Sequence, residues 1–99
     1  MLELTYFKAN YHTDPGHGWF EVPKSFVKLL GIDGEISSYS YQDQHNIYLE
    51  EDCDFGVLYE ACKKMNVKLE WNEIHTDNEH WIRRLPSYSA PRQEVYDCV

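Results

Sequence analysis

The sequence predicts an α+β fold: a single small domain in the order β-β-α-β-β-α-β, a mainly antiparallel sheet with two helices on one face. Three observations lead there. Five short stretches carry apolar residues in alternation or in strand-length runs, two carry them at helical spacing, and the breaks between them fall on Pro, Gly or polar clusters. With 99 residues, 42 % of them hydrophobic, the chain can bury one core but not two.

Leu2, Leu4 and Tyr6 alternate with Glu3, Thr5 and Phe7, so residues 2–8 are the first expected strand. A loop over 10–18 turns around Pro15-Gly16, and Trp19-Phe20-Glu21-Val22 forms a short second strand. Pro23 suits the first turn of a helix, whose apolar face is Phe26, Val27, Leu29 and Leu30 and whose stop is Gly31. Ile36–Tyr41 and Asn46–Glu50 are expected to be strands joined by the polar loop Gln42-Asp43-Gln44-His45. Asp52 or Asp54 is placed to cap a second helix, with Phe55, Leu58, Cys62 and Met65 on one face and Lys63-Lys64 in the last turn. Val67, Leu69 and Trp71 make the fifth strand. The domain is expected over 1–85, with 86–99 a loosely held tail opening at Pro86.

Seventeen acidic residues against nine basic give a formal charge of −8. That balance argues against phosphate-driven DNA or RNA binding and against an anionic membrane surface, and it favours basic proteins or cations. Between Lys28 and Lys63 stand eight acids and no Lys or Arg, and four of them crowd into Glu50, Glu51, Asp52 and Asp54. These four are the candidate partner-binding residues. Cys53, Cys62 and Cys98 show no C-x-x-C spacing, and neither an export signal nor a membrane-length apolar run is legible. Reduced thiols in a cytoplasm are expected.

Several groups are candidates for chemistry. His12 and His17 could meet His75, Asp77 and His80 around one metal ion if their strands are neighbours, although exposed histidines more often bond water or backbone. A carboxylate cluster such as Glu50–Asp54 suits Mg²⁺ or Ca²⁺, yet it lacks the alternating ligands and glycine of a calcium loop. Cys53 sits where a helix N-terminus favours a thiolate but neighbouring carboxylates oppose it. Arg83, near Trp81, suits an anion or nucleotide pocket with Trp19 and His17, or else pairs with the acidic hairpin. No catalytic residue is named by spacing, and no cofactor is called for.

Three resemblances attach to these motifs. Asp14-Pro15-Gly16-His17-Gly18 resembles the opening motif of zinc-dependent N-acetylmuramoyl-L-alanine amidases, where the histidine is a metal ligand, but this chain is far shorter and Ala9–Thr13 is not an apolar strand. Val22-Pro23-Lys24 through Leu30-Gly31-Ile32 resembles the swapped-hairpin regulators, which bind DNA through basic residues that are missing here. As a set, Asp14–Trp19, Ile36–Tyr41, Tyr48–Asp54 and His75-Thr76-Asp77 resemble a family of small bacteriophage and mobile-element proteins with no assigned activity. That resemblance covers about residues 6–85 and implies a phage or plasmid setting; it transfers no functional residue. The leading expectation is an accessory protein that binds a host protein with a basic surface stoichiometrically, such as a nucleic-acid-binding defence factor, without enzymatic activity. A nucleotide-like small-molecule binder is the alternative, and a metal-dependent hydrolase the third. Oligomeric state is left open.

Overall fold

Apolar alternation sends Phe7, Ala9 and Tyr11 to one side of the first strand and leaves Lys8, Asn10 and His12 on the other. In the computed structural model, which describes residues 5–91, that strand is β1 (Thr5–Thr13). It joins β2 (Gly18–Pro23), β3 (Tyr41–Gln42), β4 (Asn46–Glu50) and β5 (Val67–His75) in one sheet ordered β3-β4-β2-β1-β5. Helices α1 (Lys24–Leu30) and α2 (Phe55–Lys64) and a 3₁₀ turn at Trp81–Arg84 complete the elements of the described residues. The α+β class and the element order agree with the sequence. Three strand pairs are antiparallel, and β1–β5 is parallel because α2 carries the chain across from β4.

Each face of the sheet has its own core. Under the helices, Ala9, Phe20, Val22, Ile47 and Leu49 pack against Val27, Leu58, Ala61 and Cys62. On the opposite face Trp19 and Tyr48 pack against Ile82 of the 3₁₀ turn, flanked by Tyr41 and Leu85. Among the described residues, no helix is long and apolar enough to cross a membrane.

The stop at Gly31 is a left-handed cap with φ 72°, in which Gly31 N–H bonds Lys28 O and Ile32 N–H bonds Val27 O. Asn66, at φ 57°, makes the corresponding turn between α2 and β5, a conformation asparagine tolerates better than most residues.

Four local expectations need correction. β1 runs to Thr13, beyond the residues 2–8 expected, because β5 pairs with it over nine residues and β2 over four; residues 1–4 lie outside the described part. Most of Ile36–Tyr41 is turn rather than strand, since serine side chains there bond locally and to Asp54, offering the backbone an alternative to a ladder. Leu29, 70 % exposed, and Met65, 54 % exposed, both lie off the buried stripes of their helices, and Val27 is the buried residue of α1. Pro86–Tyr88 returns to the sheet edge: Gln42 N–H bonds Pro86 O, Tyr88 N–H bonds Ser40 O, and the Tyr88 ring enters the helix-side core. Burying that ring outweighs the freedom lost by the backbone carrying it. Residues beyond Pro91 in the expected tail, Cys98 among them, lie outside the described part.

Candidate functional site

The turn between β1 and β2 is built by one buried carboxylate. Asp14 Oδ1 accepts N–H bonds from Gly16 and His17, both at 3.0 Å, closing the turn locally. Its Oδ2 accepts from His80 N–H at 3.0 Å, and Arg83 grips both oxygens, Nε to Oδ2 at 2.7 Å and Nη2 to Oδ1 at 2.9 Å. Arg83 and these backbone donors hold the Asp14 carboxyl far below the usual carboxylate range, against the opposing effect of burial. The guanidinium lies 5.2 Å from the centre of the Trp19 ring. Arg83 therefore pairs with Asp14, not with the acidic hairpin.

Packing accounts for both glycines of the Asp14–Trp19 motif. A Cβ on Gly16 would stand 2.9 Å from Arg83 Nη2, and one on Gly18 would stand 2.5 Å from the Tyr11 hydroxyl. The Tyr11 hydroxyl in turn donates to Glu51. Burial and Glu51 together push the Tyr11 phenol well above its ordinary value.

The four acids of the β4–α2 joint have separate fates. Glu50, opposite Trp19 across the β2–β4 ladder, is buried and its Oε2 accepts N–H bonds from Asp52 at 3.0 Å and Cys53 at 2.8 Å. Glu51 receives Tyr11. Asp54 stands at the N-cap position of α2 but makes no side-chain cap bond. Its carboxylate, 1 % exposed, accepts from Ser37 N–H at 3.0 Å, Ser37 Oγ–H at 2.7 Å and the Ser40 hydroxyl. Only Asp52 faces solvent with no hydrogen bond to its side chain. So the expected side-chain cap by Asp52 or Asp54 does not form, and of the expected partner-binding residues Glu50, Glu51, Asp52 and Asp54, three are occupied inside the fold.

The histidines do not gather. His12 Nε2 bonds Glu21 at 2.7 Å, with the His80 ring 5.0 Å away. His80 Nδ1 accepts from Ile82 N–H at 3.1 Å, so the ring is neutral with its proton on Nε2. Burial and His12 lower the His80 pKa. His75 bonds Thr13 and faces Asp77 at the far end of β5. His17 stands apart from these, beside Glu50. The five-residue metal cluster of His12, His17, His75, Asp77 and His80 is not formed.

Of the expected ligand-binding residues, His17, Trp19 and Arg83 line a cleft of about 290 Å³ together with Tyr39, Tyr41, Glu50, Asp52 and Cys53. Trp81 lies elsewhere, edge-on to Tyr48 at 5.5 Å and beside His80. Two carboxylates in the cleft and an arginine already paired run against phosphate capture there. Sequence reasoning missed Asp14 as the partner of Arg83, and Ser37 and Ser40 as the partners of Asp54. The signal for the latter is the polar run Ser37-Ser38-Tyr39-Ser40, whose hydroxyls favour local bonds over a strand ladder. Comparison with protein-family models, curated proteins and solved structures gives no match in any of the three.

Proposed function

We propose that the protein is a stoichiometric, non-enzymatic binder of a basic protein segment, which it receives as an added strand along β5. The observation that carries this is the edge itself. β5 ends the sheet, is nine residues long, and its outer side has no strand partner among the described residues. Long uncovered edges are templates for a further strand, and proteins usually blunt them. This one keeps Trp71 and Ile74 each 44 % exposed.

Charge selects the occupant. From Lys68 to Arg83 the chain carries Glu70, Glu73, Asp77 and Glu79 with no Lys or Arg between. Two copies of a chain of formal charge −8 would repel, whereas an extended segment rich in Lys and Arg would be attracted and held in register. A nucleic-acid-binding host protein is the partner class that fits, in the phage or plasmid setting that the motif resemblance implies.

The test compares capture from bacterial lysate by the parent, by Glu73→Lys, by Ile74→Lys and by Leu29→Lys, the last an exposed position off the edge. One protein should be retained at equal stoichiometry by the parent and Leu29→Lys and lost from both edge variants. Its binding should weaken as salt passes ~0.1 M, where screening acts over about 10 Å. A partner kept by both edge variants, or held independently of salt, refutes the edge reading.

A further inference from the structure

Two turns meet at the mouth of the cleft. His17 comes from the turn that Asp14 builds, and Glu50 and Asp52 from the end of β4 and the residues after it. One ligand atom from each lies within 4.8 Å of the other two, and among the described residues no other His, Cys, Asp and Glu side chains gather three ligand atoms so closely. We propose that His17, Glu50 and Asp52 bind one divalent transition-metal ion of the zinc class.

The spacing supports this directly. His17 Nδ1 and Glu50 Oε1 are 3.4 Å apart, longer than the 2.7–3.2 Å typical of a hydrogen bond. Two donors each about 2.1 Å from a tetrahedral zinc are separated by about 3.4 Å. The pair thus stands at the spacing of two ligands whose shared ion would sit to one side of the line between them.

Orientation is supplied by the fold. Asp52 N–H and Cys53 N–H hold Glu50 Oε2, which leaves Oε1 turned to His17. The His17 backbone is fixed on Asp14. Such outer bonds are what aim metal ligands. Asp52 is exposed and can swing to close the third position.

Chemistry of the donors selects the ion. One imidazole with two carboxylates suits zinc and its first-row neighbours, whereas Mg²⁺ and Ca²⁺ prefer oxygen alone. The charge also balances, since Arg83 on the cleft wall is neutralised by Asp14, leaving the two carboxylates to face the cation.

The experiment titrates the full chain, stripped with a chelator and dialysed, with Zn²⁺ alone by calorimetry, and follows Co²⁺ by its visible spectrum. One equivalent should bind, with tetrahedral cobalt bands. His17→Gln and Asp52→Asn should each weaken binding by at least about tenfold, the least that even second-shell losses produce. His75→Gln, which alters the other exposed histidine–carboxylate pair, should leave binding unchanged. Circular dichroism of each variant checks the fold. No stoichiometric binding, binding indifferent to both His17→Gln and Asp52→Asn, or binding lost with His75→Gln would each overturn the proposal.

Discussion

The joint from Glu50 to Asp54 and the stretch from Glu70 to Glu79 each carry four acids, yet they use them oppositely. At the joint, the carboxylates turn inward: Glu50 takes two backbone N–H groups, Glu51 the Tyr11 hydroxyl, and Asp54 two serine side chains and an N–H. Along β5 and beyond, Glu73, Asp77 and Glu79 stand in solvent, and the ion pairs of the stretch are Lys68–Glu70 and His75–Asp77, both at exposed side chains. Acid density along a chain therefore does not measure the charge offered to a partner. It does so only where no turn, hydroxyl or capping N–H nearby needs an acceptor.

The comparison is broken most severely at Asp14, the most heavily engaged of the inward acids. Asp14→Ala strands Arg83 and three backbone donors, and should cost about 3–5 kcal/mol by urea unfolding, as removal of one partner of a buried pair does. The acid limb carries the same signature. Because folding lowers the Asp14 pKa, its stabilisation is complete above the ordinary value of 3.8 and is lost as pH falls below it. His80, also lowered, acts with the same sign from about its ordinary 6.5 downward. Asp14→Asn should flatten the fall in unfolding free energy below pH 3.8 relative to the parent. An unchanged acid limb would remove Asp14 from the account. At the other extreme, Glu73→Gln and Glu79→Gln should each change stability by less than about 0.5 kcal/mol, as exposed substitutions do. A larger loss would mean that these acids, too, belong to the fold.

Much of the architecture was legible because it rests on local patterns. Gly31 after Leu30 specifies a left-handed helix stop, and Leu58 and Cys62 mark a helix face whatever lies opposite. What escaped is non-local. Nothing near Asp14 indicates Arg83, 69 positions away. The joint looked like a capping sequence because Asp54 does stand at the N-cap, and only the return of Ser37 and Ser40 diverts its side chain. Tyr88 was hidden for the same reason: a proline- and serine-rich segment reads as tail until one aromatic ring finds a core. In the candidate cleft, His17 and Trp19 were visible as a motif, while their meeting with Glu50 depends on the register of β2 against β4.

The contrast between inward and outward acids comes down to two positions in one turn, and urea unfolding of Asp54→Ala beside Asp52→Ala in metal-free protein tests it most directly. Asp54→Ala should lose about 2–4 kcal/mol, because Ser37 and Ser40 are left with donors that water cannot fully reach. Asp52→Ala should lose less than about 0.5 kcal/mol, since its exposed carboxylate accepts nothing from the fold. Equal losses in the two variants, or the larger loss in Asp52→Ala, would contradict the account.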